Sequence, residues 1–283
     1  MSQKRVAAIH DISGFGKCSL TVALPLISAA GIETAVIPTA VLSTHTGGFE
    51  GYTFRDLTDD IMPIVEHWKQ NNLQFDAVYS GYLGSNRQVD IVIKALKLLK
   101  NENTKFICDP AMADHGKLYA GFDKKFPRDM FKLCHNADII VPNITEAVFM
   151  LGEDYKAGPY TKEYIGSLVI SLYEKTGAMV VLTGVYFDEK RLGAACFDGT
   201  KISYIMGEKI DAVFHGTGDV FASVLTAGII TGRSLVSATE IAVKFTCDCI
   251  KATLENDPDR HYGVNFETEI PKLIKYLGID YEG

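Results

Sequence analysis

Short apolar runs alternate with amphipathic stretches along most of the chain. Apolar runs bounded by Gly, Pro or polar residues are typical of buried strands, and apolar side chains that recur every three or four residues predict helices. The predicted strands cover residues 4–10, 33–43, 76–80, 106–110, 137–141 and 178–182, and Pro38 can divide the second of them into two. A predicted hairpin pairs residues 193–197 with 201–206 around Asp198-Gly199. The predicted helices cover residues 20–30, 59–70, 86–100, 161–176, 220–230, 236–254 and 265–277, and a short one ends at Leu151.

This alternation predicts an α/β fold in which helices flank a mostly parallel central sheet. No linker, repeat or low-complexity segment interrupts residues 1–283, which are therefore predicted to form a single domain. Polar residues cluster where the predicted strands end, and ligands of open α/β sheets bind at the carboxyl ends of the strands. We therefore expect a functional edge on this sheet.

Composition narrows the class of function. The chain has 283 residues, 47% of them apolar, and a net charge of −7, which argues against non-specific nucleic-acid binding. No run reaches the ~18 apolar residues of a membrane span, and the apolar run after Arg5 is too short for a signal peptide. The six scattered cysteines are predicted to be reduced thiols of a cytoplasmic protein, mostly within its core.

The stretch from His215 to Ser223 carries the most specific chemistry. Gly216-Thr217-Gly218 lies directly before Asp219 and an apolar run, so Asp219 is predicted to lie in the first turn of a helix. Glycines let the backbone approach a ligand, and the N–H groups of a helix start bind anions. The aspartate could then accept a proton from an alcohol while the amides hold a phosphate, and the helix dipole is expected to keep it anionic. A glycine-rich helix start with an ordinary first-turn acid fits the same residues.

The loop after the first predicted strand is also rich in glycine. Gly14-Phe15-Gly16 begins like a dinucleotide fingerprint, but serine stands at position 19, where the third glycine would be. Ser19 is instead predicted to cap the helix that follows it, as Ser85 caps the helix 86–100. Lys17 lacks the Gly-Lys-Ser/Thr context of a phosphate-binding P-loop and is predicted to face solvent.

Two further loops follow predicted strands. Asn143 and Glu146 share a helix face after the strand 137–141, and an amide with a carboxylate can hold a hydrated Mg²⁺. As ordinary first-turn polar residues they would need no metal. Residues 111–119 form a polar loop that could act as a flap over a ligand.

Together these residues resemble the ribokinase-like superfamily and, more narrowly, the pyridoxal/pyridoxamine (vitamin B6) kinases, over nearly the whole chain. The matching segments are Gly216-Thr217-Gly218-Asp219 with the preceding Asp211-Ala212-Val213-Phe214, Ser43-Thr44-His45-Thr46-Gly47, Ser80-Gly81-Tyr82, Cys108-Asp109-Pro110 with Asp114, Pro142-Asn143 with Glu146, and Thr183. Gly-Thr-Gly-Asp alone would indicate only the superfamily, whereas His-Thr-Gly and Gly-Tyr favour B6 vitamers over sugars.

The resemblance implies ATP-dependent phosphorylation of the 5′-hydroxyl of pyridoxal, pyridoxine or pyridoxamine. It implies Asp219 as the general base and Gly216, Thr217 and Gly218 as an anion hole. The other implied contacts are Asp11, Ser13, His45, Thr46, Gly47 and Tyr82 for the substrate ring, Asp109, Asp114, Asn143, Thr183 and Gly184 for ATP, and Glu146 and Asp109 for Mg²⁺. The resemblance also allows a monovalent cation such as K⁺, and it implies a homodimer.

One position departs from the family pattern. Where better-known B6 kinases have a serine facing the pyridine nitrogen, this chain has Asp11, with Ser13 nearby. An aspartate favours a protonated pyridine nitrogen or a ligand amine, so the preferred vitamer stays open. The nearest alternative is a hydroxymethylpyrimidine kinase, followed by a sugar or nucleoside kinase of the same fold. A non-catalytic pyridoxal phosphate-binding protein is an alternative of another class.

Overall fold

The computed structural model describes residues 3–257, 259–260 and 262–280. In chain order the elements are β1 (Arg5–Ser13), α1 (Leu20–Ala29), β2 (Glu33–Leu42), β3 (Phe54–Asp56), α2 (Thr58–Gln70), β4 (Ala77–Ser80), α3 (Asn86–Leu99), β5 (Lys105–Cys108), β6 (Ala113–Asp114), β7 (Lys117–Leu118), α4 (Phe126–Cys134), β8 (Ile139–Ile140), α5 (Ile144–Leu151), α6 (Lys162–Thr176), β9 (Met179–Asp188), β10 (Arg191–Phe197), β11 (Ile202–Glu208), α7 (Thr217–Ile230), α8 (Leu235–Asn256) and α9 (Ile270–Leu277). The chain divides into two compact units, a first unit of 1–57 with 210–283 and a second unit of 58–209.

The first unit packs helices on a short sheet. Strand β1 pairs in parallel with β2, and β2 pairs with β3 in the antiparallel sense. Helix α1 packs on both β1 and β2, while α7 lies between α1 and α8. Its core is made of fully buried apolar side chains, among them Ile9, Leu26, Ile27, Ile37, Phe245 and Phe266. Burial of these large side chains removes apolar surface from water and is the main stabilising effect in this unit.

The second unit has the parallel arrangement of an α/β fold. Its strands β4, β5, β8 and β9 follow one another side by side in parallel, and β10 and β11 extend the sheet as antiparallel strands. Helix α3 packs between α2 and α4, while α6 covers β9 and β10. Since β5, β8 and β9 run in the same direction, the residues after them emerge at one edge of the sheet.

The predicted fold class is confirmed, because helices alternate with strands that are mostly parallel. The predicted hairpin around Asp198-Gly199 is also present, with Phe197 paired to Ile202. The chain divides into two compact units, and the single domain predicted for residues 1–283 stays a prediction. Strand β2 is continuous through Pro38, and the ladder accommodates this proline by a shift in register directly after it.

Four elements, β3, α4, β6 and β7, were not predicted. Strand β3 is three exposed residues long and therefore has no alternation of buried and exposed side chains to reveal it. Helix α4 does carry a signal, since its buried Phe126, Met130, Leu133 and Cys134 recur at helical spacing and Pro127 lies in its first turn. The predicted flap contains a small antiparallel hairpin of β6 and β7.

The helix starts give one confirmed and one wrong prediction. The Ser85 hydroxyl accepts a hydrogen bond from the Gln88 N–H and caps α3 as predicted. Ser19 precedes α1 but makes no side-chain cap, and its φ of 52° and ψ of −131° lie in a region that L-residues rarely adopt.

The cysteines are all free thiols, as predicted, and four of the six are buried. Within the described part of the chain, none of the helices combines the length and apolar content that crossing a bilayer requires.

Candidate active site

Gly216 ends the loop before α7 and lets Asp219 enter the first helical turn. Its backbone is left-handed, with φ 77° and ψ 3°. A side chain here would also collide with the Lys17 carbonyl oxygen, which lies 1.7 Å from the position of a Cβ atom. Only glycine meets both conditions. The predicted turn from loop to helix, with Asp219 in the first turn, is confirmed.

The carboxyl group of Asp219 lies beside a second acid. Its pKa depends on the negative charge of Asp11 and on the nearby Ser19 backbone. Burial is the largest influence and raises the pKa of Asp219 to about 7; Asp11 raises it further, and the Ser19 N–H opposes both. The expectation that the helix start keeps this group fully anionic at neutral pH is therefore wrong. A pKa near neutrality suits a group that accepts a proton at physiological pH.

Asp11 is buried at an irregular point of β1. His10 faces Pro38 and Ile12 faces Val41, so β2 has one extra residue opposite Asp11. Such bulges re-aim side chains and are frequent beside functional sites. Asp11 is 4% exposed, and its side chain accepts a hydrogen bond from the Ser13 hydroxyl at 3.2 Å. Burial raises the pKa of Asp11, and this hydrogen bond opposes the increase.

Cys18 completes this cluster and was not singled out from the sequence. Its Sγ donates to Ser13 Oγ at 3.4 Å. Burial, followed by the charges of Asp219 and Asp11, raises the pKa of the thiol, which therefore stays protonated.

His45 is a buried, oriented side chain and not a solvated loop histidine. Its Nδ1 accepts the Gly47 N–H at 3.1 Å, so Nε2 carries the proton and donates to the Tyr262 carbonyl oxygen at 3.3 Å. Its ring lies 5.1 Å from Phe49 and 5.3 Å from His215, measured between centroids. The contact with His215 brings the His45 loop to the residue directly before the Gly216 turn.

The neighbours of His45 explain two glycines in these loops. A Cβ at Gly16 would lie 2.1 Å from the His45 ring, and one at Gly47 would lie 2.5 Å from the His215 ring. Thr46, between His45 and Gly47, is exposed. The first unit thus brings together Asp11, Ser13, His45, Thr46, Gly47, Gly216, Thr217, Gly218 and Asp219 from the predicted site residues.

Lys17 does not face solvent, so that prediction is wrong. It forms an ion pair with Glu267 and lies over the Phe266 ring, with its Nζ 5.3 Å from the ring centroid. Burial and the neighbouring Arg260 lower the pKa of Lys17. Glu267 is far from Lys17 in the sequence, so their salt bridge could not be predicted from the residues around Lys17.

In the second unit, Asn143 and Glu146 form a capping box at the start of α5. Asn143 Oδ1 accepts the Glu146 N–H at 2.9 Å, and Glu146 Oε2 accepts the Asn143 N–H at 2.8 Å. Glu146 Oε1 also accepts the Met112 N–H at 3.0 Å. Burial raises the pKa of Glu146 to about 8, against the opposing effect of its backbone donors. The spacing that suggested a metal pair therefore serves the helix start in this structure.

The first turn of α5 also holds the flap. Asn143 Nδ2 donates to the Ala113 carbonyl oxygen at 2.7 Å, and Thr145 Oγ1 accepts the Gly116 N–H at 3.0 Å. With the bond from Met112 to Glu146, the hairpin is tied to one helical turn by three side chains. Asp114 is exposed at the flap and accepts the His115 N–H at 2.8 Å.

The remaining nucleotide candidates lie within β9, where Thr183 and Gly184 are in the middle of the strand, and directly after β5. Thr183 bridges to Asn143, and its N–H donates to the Pro142 carbonyl oxygen at 2.9 Å. Gly184 follows with a left-handed φ of 75°. Asp109 comes directly after β5 and is 8% exposed. The parallel strands β5, β8 and β9 therefore bring Asp109, Asn143, Glu146, Thr183 and Gly184 to one edge.

Tyr82, the one ring-contact candidate in the second unit, is half-buried. Its ring lies 5.5 Å from Phe122, which stacks on Phe126 at the start of α4. Among the described residues, no three His, Cys, Asp or Glu side chains form a group that could hold a metal ion.

Comparisons with known proteins agree with this geometry. The sequence model of the family described as phosphomethylpyrimidine kinase matches residues 24–264. A Bacteroides thetaiotaomicron protein, provisionally named a phosphomethylpyrimidine kinase and solved in a crystal form with pyridoxal, is 36% identical, with a TM-score of 0.90 over 100% of this chain and 98% of its own.

Two pyridoxal kinases extend the comparison. The structure of pyridoxal kinase from Lactobacillus plantarum is 28% identical, with a TM-score of 0.89 over 97% of this chain and 98% of its own. Pyridoxal kinase from Arabidopsis thaliana is 28% identical over 87% of this chain and 81% of its own. The chain therefore belongs to the phosphomethylpyrimidine kinase family, and it is a kinase of the ribokinase-like superfamily related to the pyridoxal kinases.

Proposed function

We propose that the protein transfers the γ-phosphoryl group of ATP to the 5′-hydroxyl of pyridoxal, pyridoxine or pyridoxamine. The observation that carries this proposal is Asp219, an acid with a pKa of about 7 placed directly after the glycine turn of a helix start. The pyridoxal in the crystal form of the Bacteroides relative supports a B6 vitamer as the acceptor.

In this proposal Asp219 takes the proton of the vitamer hydroxyl as its oxygen attacks the γ-phosphate. The backbone N–H groups of Gly216, Thr217 and Gly218 stabilise the charge that develops on the transferred group. Proton transfer to a positioned base contributes about 10²–10⁴-fold to a rate, so much of the remaining acceleration comes from positioning and charge stabilisation.

The ring would be held by the acids and the oriented histidine of the first unit, together with Tyr82. Asp11 is buried with a raised pKa, so a cationic group on the ligand would restore its charge and be stabilised in turn. A protonated pyridine nitrogen or an amine is such a group. Ser13, His45, Thr46 and Gly47 provide the other polar contacts of this ring site.

ATP would be bound by Asp109, Asp114, Asn143, Thr183 and Gly184 in the second unit. The carboxylates fit a Mg²⁺ ion that keeps most of its waters and is held mainly by phosphate oxygens, since such sites need only one or two protein carboxylates. Glu146 and Asp109 are the side chains that would hold it, Glu146 once it has lost its proton. Mg²⁺ would neutralise phosphate charge. A role for K⁺ near Asp109 and Asp114 stays a proposal, as do the homodimer and the cytoplasmic location.

Hydroxymethylpyrimidine is the second candidate acceptor. It is favoured by the family match over residues 24–264, whose description names a pyrimidine substrate. The same base and the same amides would serve either ring, so the two candidates differ only in what the ring site recognises.

The test is ATP consumption by the purified protein with Mg²⁺ and K⁺. Pyridoxal, pyridoxine, pyridoxamine and hydroxymethylpyrimidine are offered in parallel, and the phosphorylated product is identified by its mass. Turnover on a B6 vitamer is the expected result. Turnover on hydroxymethylpyrimidine alone would move the substrate and keep the mechanism, whereas vitamer binding without any turnover would replace the kinase proposal by a carrier.

A further inference from the structure

His215 comes directly before the Gly216 turn and is not among the predicted site residues. Its side chain is exposed, yet its ring lies tightly against the backbone of Gly47. A Cβ atom on Gly47 would lie 2.5 Å from Cε1, 2.6 Å from Nδ1 and 2.7 Å from Nε2 of His215. These distances are well below ordinary van der Waals contact. The imidazole therefore occupies the space that a larger residue at position 47 would need.

The same ring packs against His45. The centroids of the two rings are 5.3 Å apart with an interplanar angle of 49°, and the Phe49 ring meets His45 edge to face at 5.1 Å. The backbone of Gly16 borders His45 as well, since a Cβ atom there would come within 2.1 Å of its ring. Aromatic rings at such separations attract one another. His215 is therefore one of the groups that hold the His45 ring in place.

The neighbours of His215 belong to two parts of the proposed site. His45 and Gly47 are in the substrate loop (residues 43–47), which would hold the vitamer ring, and Gly216 begins the anion-hole turn (residues 216–218). The anion-hole turn is itself fixed by the close approach of Gly216 to the Lys17 carbonyl oxygen. A ring directly before this turn that packs on the substrate loop therefore couples the positions of the loop and the turn.

We propose that His215 is a positioning residue, whose ring packs on Gly47 and His45 and holds the substrate loop against the anion-hole turn. The inference rests on the proposed function, which gives the loop and the turn their roles. Phosphoryl transfer requires the 5′-hydroxyl to lie in line with the γ-phosphate, and small displacements of bound groups lower the rate strongly. His215 acts through the shape of its ring and takes no part in proton transfer.

Three substitutions test whether the shape of the ring is what matters. His215→Ala removes the ring. Gly47→Ala displaces it, because the backbone of Gly47 lies outside the left-handed region and accepts alanine, whose Cβ then takes the place of the ring. Alanine also keeps the N–H that His45 Nδ1 accepts. His215→Phe keeps a flat ring over Gly47 and has neither ring nitrogen.

The first measurements are the dissociation constant for pyridoxal, KM for each substrate and kcat. In His215→Ala and Gly47→Ala we expect the pyridoxal dissociation constant and the vitamer KM to rise about 5-fold and kcat to fall about 3-fold, with KM for ATP unchanged. Both changes remove the same contact, so the double variant should lose no more than either single variant. His215→Phe should stay within about 2-fold of the wild type. His67→Ala, at an exposed histidine of α2, is the matched control and should change none of these quantities.

Three results would overturn the inference. Additive losses in the double variant would show that Gly47 and His215 act separately. An unchanged vitamer KM in His215→Ala would show that the ring does not hold the substrate loop. A loss in His215→Phe as large as in His215→Ala would assign the role to the ring nitrogens. Should Gly47→Ala not fold, the comparison of His215→Ala with His215→Phe decides alone.

Amide exchange without ligands keeps this inference separate from the proposed function. The His45 N–H donates to the Phe15 carbonyl oxygen at 3.2 Å, and the Gly47 N–H donates to His45 Nδ1 at 3.1 Å. Exchange of these two amides, measured by NMR, should be about 5-fold faster in His215→Ala and unchanged in His215→Phe. If the wild-type protein phosphorylates none of the offered compounds, the proposed function fails and the exchange rates still decide whether His215 holds the loop. Equal exchange in His215→Ala and the wild type would contradict the inference.

Discussion

At the residue scale, burial outweighs the helix start in setting the state of Asp219. The N–H groups of a helix start favour a carboxylate, yet removal from water raises the pKa of Asp219 to about 7. Asp219, the proposed base, is therefore partly protonated at neutral pH. The sequence alone predicted that this acid lies in the first turn of a helix. Its neighbours Asp11 and Ser19 come to it only in the folded protein, so their effect on its pKa could not be predicted.

Asp219→Asn removes the proposed base and nearly preserves its shape. Turnover should fall by roughly 10²–10⁴, the range typical of general-base catalysis, with little change in the dissociation constant for ATP. Single-turnover kinetics and nucleotide titration measure the two quantities. Asp90→Asn on the exposed face of α3 is the matched control and should keep full activity. Near-full turnover of Asp219→Asn would remove the residue from the base role.

Asn143 and Glu146 show the limit of interpreting spacing alone. Their separation by three residues predicts a shared helix face, which is correct, but the same separation defines a capping box. The sequence therefore located both side chains without distinguishing a helix cap from a cation site. The Ser19 hydroxyl was similarly expected to cap a helix start, but it forms no cap hydrogen bond there.

At the element scale, the turn before α7 depends on close contact between two loops. Gly216→Ala should place a Cβ against the Lys17 carbonyl oxygen and force the turn to move. We expect kcat to fall at least 10-fold and the melting temperature to drop, because an anion hole loses its geometry with small displacements. Steady-state kinetics and thermal unfolding measure both effects.

The control for Gly216→Ala lies at the other end of the same helix. Gly232 also has a positive φ, 91°, but a Cβ there meets nothing within 4 Å. Gly232→Ala therefore introduces backbone strain but no collision with neighbouring atoms. This variant should have a lower melting temperature and an unchanged kcat. Equal loss of kcat in the two variants would show that the contact with Lys17 is unimportant.

The flap is a second element whose stability can be tested. Thr145→Val keeps the shape of the side chain and removes the acceptor for the Gly116 N–H. Loss of one hydrogen bond of about 1 kcal/mol should speed amide exchange in residues 113–118 about 5-fold. Thr145→Ser keeps the hydroxyl and should exchange like the wild type in hydrogen-exchange mass spectrometry. Unchanged exchange in Thr145→Val would mean that the other tethers suffice.

Element types were more predictable than their ends. Long periodic stretches such as residues 86–100 were correctly predicted to be helices, because one apolar face of each helix is buried against its neighbours. The long extension of β9 to Asp188 was missed, because its outer half is only partly buried and lacks a continuous apolar run. Strand β3 depends on pairing with β2 and has no local pattern of its own.

At the scale of the whole molecule, stability should depend on pH through its buried titratable groups. Asp219 has a folded-state pKa of about 7, above its ordinary 3.8, so the folded protein binds more protons than the unfolded chain between these values. Stability from this group is lost as pH rises through 7. His10 is buried and its pKa is lowered to about 3, so its contribution is already complete above pH 6.5.

The stability from Glu146, whose pKa is raised to about 8, is also lost over this range. The protein should therefore melt at a lower temperature at pH 8.5 than at pH 6.5, with about 2 °C of the difference due to Asp219 and a larger share due to Glu146. Differential scanning calorimetry without nucleotide or divalent cations measures the difference. Asp219→Asn has no proton to lose in this range and should show a flatter dependence. An identical slope in the variant would assign the pH dependence to other groups.

The alternation of strands and helices sufficed to predict an α/β fold, since each apolar run needs helices to cover it. The division into two compact units did not follow from the sequence. No linker marks the boundaries near residues 57 and 210, because both fall within continuous runs of ordinary composition. The first unit forms through contacts between segments that are far apart in the sequence, and local sequence patterns do not predict such contacts.

The first unit is built from two segments that are separated in the sequence, so they are synthesised at different times during translation. The ribosome delivers β1, α1 and β2 early, but the α7 helix that packs on α1 follows only after the whole second unit has been made. The apolar face of α1 must meanwhile be shielded by transient contacts or by a chaperone. The Gly216 turn can close against Lys17 only after the last quarter of the chain has been made.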